Sequence, residues 1–303
     1  MAQVRGTIPA NVDNVDKTVF AIVGKTLKEL TPIWRKFYNV ESSDRKFERN
    51  VSYAMFGAAP VKGEGQDYTT QLIKQGYTKD FTHLEFGLAF EVTQTAQEDD
   101  VYDILSQYGT GLARGCRVAE ETYAAIPFNN GFATETSPDG QPIFAAAHPL
   151  VGGGTALNTR VSDLSWLALQ QAIIDLNTDQ KTEEGFFSAP VDGLILYVPP
   201  ALKLLAERIV GSSLLPGVAD NDINPINKMY DIQVLVNPYL TDNDAWYLIY
   251  KNKNHGVMSY TRVPIGMQPP ERLPRSGNRF YSIRFRRSWG VRQWQGLWGS
   301  PGA

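Results

Sequence analysis

"HLEFGLAFEV", residues 83–92, places an apolar residue at every second position. Leu84, Phe86, Leu88, Phe90 and Val92 share one face, and His83, Glu85 and Glu91 lie on the other, the period-two alternation of a strand with one buried side. Upstream, Phe47 to about Phe56 reads as a second strand, with Phe47, Val51, Tyr53 and Met55 on one side. A glycine-rich tip, "GAAPVKGEGQDY" (57–68), and a polar stretch, "TTQLIKQGYTKDFT" (69–82), lie between them. The expectation is one long hairpin, with 47–56 and 84–92 as its arms. An isolated hairpin is marginal in water, and its open edges invite pairing. Another part of the chain, or a neighbouring copy, must cover it.

Downstream, "QEDDVYDILSQYGTGLARGCRVAEETYAAI" (97–126) carries Val101, Leu105, Tyr108, Leu112, Gly115, Ala119, Thr122 and Ile126 at alternating steps of four and three. That spacing predicts one apolar stripe on a long helix. Glu98, Asp99, Asp100 and Asp103 stand in its first turn, where the helix dipole favours anions, and Pro127 is expected to end it. Gly109, Gly111 and Gly115 each cost about 1 kcal/mol relative to alanine, so the helix needs packing along its length. It reads as a spine.

From about 160 to 262 the chain alternates helix and strand. "SDLSWLALQQAIIDLN" puts Trp166, Leu169, Ile173 and Leu176 on one side, with Ser162 or Asp163 as the expected cap. "LILYV" (194–198) is a continuous apolar run, as in a strand buried on both faces. Pro199 and Pro200 open a helix that Gly211 stops, and "IQVLV" and "AWYLIY" supply further strands. Residues 1–45 read as a polar, interrupted arm with a short helix at "DKTVFAIVGKTLKEL". The run "RFYSIRFRRSWGVRQWQGLWG" reads as a long strand pair.

Composition narrows the function. The 303 residues are 43% hydrophobic and 20% charged with net charge −3, which fits a folded chain without an overall basic footprint for nucleic acid. No secretory stretch, membrane span, repeat or disulfide framework is evident, so a soluble, cytosolic protein is expected.

Chemical candidates are few. In "DGQPIFAAAHPLVGGG" (139–154), His148 precedes three glycines, but no nucleophile elbow or phosphate-loop pattern accompanies it. It reads as a rigid corner. His83, His148 and His255 are too scattered for metal-ligand spacing. Asp220, Asp222 and Asn224 have calcium-loop spacing, yet Pro225 and Asp231 replace the required glycine and glutamate, so a turn is expected. Cys116, the single cysteine, reads as a core residue. Between Arg262 and Arg292 stand eight arginines against one acid, Glu271. Phosphate contact would use them, but Arg284 and Arg286 alternating on one strand fit ion pairs with acids of a neighbour, such as those at 98–100.

The segments "EETYAAIPFNNGF", "DGQPIFAAAHPL", "PGVADNDIN", "NPYLTDNDAWYLI", "HGV" and "IRFRRSWGVRQWQG" follow in that order over roughly residues 120–300. Together they resemble the major capsid proteins of tailed bacteriophages, the Mu-type major head subunits in particular. Upstream the resemblance is architectural: an arm, a hairpin containing "KGEG" (62–65), then a spine helix. It implies the α+β, HK97-type capsid fold. Its parts would be an N-terminal arm (1–45), an E-loop hairpin (46–93), a peripheral domain with the spine helix (94–154), an α/β axial domain (155–262), and C-terminal strands (263–303) returning to the peripheral domain.

The function it implies is structural, with no catalytic, metal or cofactor-binding residues. Hexamers and pentamers would form an icosahedral shell around double-stranded DNA contacted non-specifically. The hairpin and arm would reach across adjacent subunits. Lys62, Glu64, Glu98, Asp99, Asp100, Arg284, Arg286 and Arg287 are the candidate intersubunit contacts. Lys62 and Lys74 lie in the hairpin, but no flanking pattern marks a partner asparagine, so no covalent cross-link is expected. The arm starts without the long charged region of some relatives, so a separate scaffolding protein is expected, with a portal, a possible decoration protein and no membrane. Location would be the virion, with assembly in the host bacterial cytoplasm. An encapsulin-type nanocompartment is the alternative, and an α/β hydrolase-like enzyme using His148 the third.

Overall fold

The computed structural model describes residues 8–98, 102–187, 193–214, 223–252 and 255–303. Helix α1 (Ile8–Glu29) and a 3-10 turn (Ile33–Lys36) lead into β1 (Asn39–Ser42), β2 (Phe47–Ala54), β3 (Lys74–Thr82) and β4 (Leu84–Val92). Then come α2 (Gln94–Glu98), the long α3 (Tyr102–Asn129), and the short strands β5 (His148–Pro149) and β6 (Thr155–Ala156). Next are α4 (Trp166–Thr178), β7 (Gly193–Val198), α5 (Lys203–Gly211), α6 (Pro225–Met229), β8 (Asp231–Val236) and β9 (Trp246–Tyr250). The chain closes with β10 (Val257–Met267), β11 (Glu271–Arg272), β12 (Arg279–Val291) and β13 (Leu297–Ser300).

Strand β7 shows why "LILYV" has no polar alternation. It lies inside a four-stranded sheet, order β13-β9-β7-β8, and successive side chains enter different cores. Leu194, Leu196 and Val198 meet Leu169, Ile173 and Leu176 of α4 and Ala206 and Ile209 of α5. Ile195 and Tyr197 face the opposite way, onto Trp34, Phe37, Tyr38, Phe128 and Phe144. The aromatic residues of the 3-10 turn region are therefore core, and β1 runs parallel to β10. Residues 33–42, read as part of a polar arm, belong to the body of the subunit. Helix α1 also packs in cis, with Val19 and Val23 buried against α3.

The hairpin is shorter than expected and has a different return arm. Strand β2 pairs with β3, Phe47 opposite Thr82 and Ala54 opposite Lys74, so the polar "KQGYTKDFT" closes it. The clean alternation at 84–92 belongs to β4, which pairs with β12 along Val92–Arg279 to Leu84–Arg287. Its apolar face covers α3: Phe86, Phe90 and Val92 join Leu105, Leu112, Cys116 and Phe285. Of the two covers expected for this edge, another part of the chain or a neighbouring copy, the structure supplies the first, a strand nearly two hundred residues downstream.

The C-terminal pair is also divided. β12 runs through a five-stranded sheet between β10 and β4, whereas β13 adds to the edge of the β7 sheet beside β9. Helix α3 continues through Pro127 to Asn129, because the missing proline N–H falls in the last turn and Asn130 N still bonds Ile126 O at 3.0 Å. Its buried arc is wider than the predicted stripe. A Cβ added at Gly109 would lie 3.5 Å from Val23 on one side and one at Gly115 would come 2.8 Å from Leu88 on the other, while Tyr108 and Thr122 are exposed. The cap of α4 is Ser165, whose hydroxyl accepts from Ala168 N, rather than Ser162 or Asp163.

Candidate functional site

His148 is fully buried. Its Nδ1 lies 2.6 Å from Asp139 Oδ2 and its Nε2 lies 3.1 Å from Asn158 Oδ1. The Asn158 amide is oriented by Ala145 N donating to Oδ1 and by Nδ2 donating to Ile143 O, both at 2.8 Å. Nε2 must then be a donor, so neither ring nitrogen is free for a substrate. The ring also stacks on Trp294 at 4.4 Å. The glycines form the turn joining β5 and β6: Leu150 N bonds Gly154 O, and Gly153 and Gly154 have φ of 101° and 87°. This is a locked corner rather than an active site.

Other sequence candidates are likewise structural. Cys116 is buried, and desolvation pushes its thiol up to about 11, away from a reactive thiolate. Asn224 accepts from Trp166 Nε1 and Ile226 N and donates to Ile209 O and Ser212 O, which uses the oxygen that a cation would need. Asp220 and Asp222 lie outside the described residues. Among the described residues no cluster of His, Cys, Asp and Glu could hold a metal ion, and no helix is long and apolar enough to cross a membrane.

The hairpin beyond β2 and β3 is different in kind. Residues 55–73 contain no regular strand or helix, and within them Val61 is 99% exposed, Leu72 87% and Tyr68 84%. Met55, Phe56 and Ile73 are also exposed. Lys62 lies over the exposed Tyr68 ring at 4.5 Å. Glu64 stands in an exposed turn completed by Gly65, whose φ is 77°. At the neck, Met55 N donates to Glu184 Oε1 at 2.6 Å, and at the root Phe81 is buried with Met258 and Tyr260. The root is anchored in cis; the tip is not.

The arginines of β12 divide by face. Arg287 points into the subunit, pairs with buried Glu120, donates to Thr261 Oγ1 at 3.1 Å and stacks over Trp34. Burial lowers its guanidinium to about 10 against the raising pull of Glu120. As an intersubunit contact Arg287 is a correction: its fork is spent inside the fold. Arg284, on the opposite face, is exposed and meets Glu85 only at 3.8 Å. Arg286 beside it leaves a buried Nε without a partner among the described residues. Glu98 closes α2, whereas Asp99 and Asp100 lie outside the described residues. No ion pair among the described residues joins the tip to the arginines.

Sequence reasoning gave no anchoring role to Asp16, Glu120, Glu121 or His83. Asp16 of α1 accepts from Tyr281 Oη at 2.6 Å and pairs with Arg279, tying the first helix to β12. Glu120 and Glu121 are buried at mid-helix, and an acidic pair amid small apolar residues was the available signal. His83, buried between β3 and β4, had only its place on the polar side of the alternation to mark it.

A sequence model of the phage capsid protein family matches residues 76–299. No curated protein matches the chain. Among solved structures, the capsid of cyanophage P-SCSP1u is similar at 12% identity and TM-score 0.58, over 90% of this chain and 88% of that one. The capsid of an empty GTA particle gives 13% and 0.56, over 89% and 90%. A virus-like particle from Pyrococcus furiosus gives 9% and 0.53, over 94% and 98%. At these identities the likeness is one of fold, the HK97-type capsid fold.

Proposed function

This chain belongs to the phage capsid protein family, and we propose that its exposed hairpin tip is the element by which one copy closes on the next. The protein is a structural major capsid protein that self-associates into the shell of the virion, not an enzyme. The finer reading is a set of hexamers and pentamers around double-stranded DNA. The unit at about residues 155–262 gathers at the capsomer axis, and the hairpin lies over an adjacent subunit. A separate scaffold and a portal would serve assembly in the host bacterial cytoplasm, with a decoration protein as a possible addition.

One observation carries this reading: a tip with strongly exposed Val61, Tyr68 and Leu72 that the subunit does not cover. Such a patch marks an interaction surface. Charge suggests where it lands. The tip carries two acids, Glu64 and Asp67, against one cation, Lys62, so its net charge is negative. Arg284 on an exposed sheet face, with Arg286 beside it, is the complementary surface of a second copy. Acids at 98–100 are a further candidate contact for these arginines. The coupling is testable by charge exchange. Arg284→Glu, or Glu64→Lys with Asp67→Lys, is expected to abolish particles seen by electron microscopy when the chain is expressed with its genomic neighbours. The triple exchange should restore them in part. Normal shells from either reversed chain would reject this contact, and nuclease-protected DNA against enclosed protein distinguishes a phage head from a nanocompartment.

A further inference from the structure

We propose that His83 is a proton-sensitive pivot: while neutral it pins the root of the hairpin to the sheet, and when protonated it releases the hairpin. The position is specific. β3 ends at Thr82 and β4 begins at Leu84, so His83 is the single residue between the two-stranded hairpin and the five-stranded sheet. It is buried, and it gathers groups from three other segments. Its Nε2 lies 3.0 Å from Ser43 Oγ, just after β1, and its Nδ1 lies 3.2 Å from Ser288 Oγ on β12. Ser43 Oγ in turn donates to Glu48 Oε1 of β2 at 2.6 Å and accepts from Arg45 N at 3.2 Å.

Counting protons fixes the tautomer. The Ser43 hydroxyl has one hydrogen, and it goes to Glu48. Its oxygen therefore accepts from His83, and Nε2 carries the ring proton. Nδ1 is then the acceptor for the Ser288 hydroxyl. Every donor in the chain has an acceptor while the ring is neutral. A second proton on Nδ1 would force the Ser288 hydroxyl to turn and leave its own hydrogen without this acceptor in a buried site.

The surrounding charges point the same way. Arg286 of β12 and Arg262 of β10 both disfavour a cation on the ring, and Glu48 of β2 favours it. Arg262 is itself engaged by Asp44, Arg284 by Glu85, and Glu48 by the Ser43 hydroxyl. The Tyr260 hydroxyl of β10 accepts from Asn50 of β2. Burial comes first among the causes that hold the imidazole below its ordinary value. The sign follows. The unfolded ring takes up a proton below about 6.5, whereas the docked ring resists it. Docking free energy from this site is therefore complete above that pH and is lost as pH falls through the docked value.

The inference concerns only how the hairpin is anchored, and it stands whether or not the tip binds a second copy. Hydrogen–deuterium exchange on the full-length chain, corrected for the intrinsic pH dependence of exchange, tests it at pH 7.5 and 5.5. Amides of β3 are expected to lose about tenfold protection at the lower pH, while those of β7 keep theirs. His83→Gln should remove that difference. Ser288→Ala, which takes away the hydroxyl donor to Nδ1, should move the midpoint to higher pH and serves if His83→Gln does not fold. Protection of β3 that is the same at both pH values in the wild type overturns the pivot. So does an equal acid loosening in His83→Gln, or an unmoved midpoint in Ser288→Ala.

Discussion

Glu120 and Glu121 are neighbours in α3 with opposite electrostatic situations. Glu120 is compensated twice, by Arg117 and by Arg287. Glu121 accepts from Ile33 N and so fastens the 3-10 turn to the helix, but its Oε2 is buried with no partner among the described residues. Burial raises its carboxyl above the ordinary range, outweighing the backbone N–H groups of Ile33 and Trp34 that lower it. A raised carboxyl means that the folded state holds more protons than the unfolded one between the two values. Stability from this residue is therefore present below about 4.3 and lost as pH rises through the folded value. Glu121→Gln keeps an acceptor for Ile33 and cannot ionise. The denaturation midpoint of the wild type, measured relative to Glu121→Gln, should fall from pH 4 to pH 7. A difference that stays constant over that range would mean the carboxyl is not perturbed.

At the scale of elements, α3 shows how closely each position is determined by what faces it. A Cβ at Gly111 meets nothing within 4 Å, whereas one at Gly131, just past the helix, would come 2.6 Å from Pro127 O and 2.8 Å from the Phe144 ring. Gly111→Ala should stabilise the chain by about 1 kcal/mol through helix propensity alone. Gly131→Ala should destabilise it by about 2 kcal/mol through overpacking. Chemical denaturation of the two variants reads both, and equal effects would undo the argument. These contacts explain what could be read in advance. Elements with one dominant environment were legible: β7, buried on both faces; the apolar face of β4; the length of α3; the corner at His148. Pairings were not. β4 alternates cleanly whether its partner is β2 or β12, because alternation reports a buried face and not the strand beside it. β3 was hidden because, apart from buried Phe81, it is largely exposed or half-exposed. Trp34, Phe37 and Tyr38 sit in a short turn with no periodicity to announce it, and only the β7 sheet shows why they are apolar. Of the candidate contacts, Arg287 could not be told from Arg284 until strand parity was known.

For the whole molecule, the division between anchored root and uncovered tip makes a sharper claim than the fold itself. Phe81, Tyr260 and the Asn50–Tyr260 hydrogen bond hold β2 and β3 to the body, so the subunit does not depend on residues 55–73 for its cores. Ala54 and Lys74 are paired, which allows a two-residue Asn-Gly turn to replace the intervening segment without changing register. Among the described residues the shortened chain loses one bond to the body, Met55 N to Glu184, and little apolar burial. Its unfolding free energy should therefore stay within about 0.5 kcal/mol of the full chain. Assembly should fail, because the exposed apolar side chains of the tip are what a second copy would cover. Sedimentation and electron microscopy should find a folded, unassembled protein. Shells at normal yield would show that the tip is dispensable for closure. A loss of several kcal/mol in the isolated subunit would show that the tip is part of its own fold, and the case for a contact in trans would fall with it.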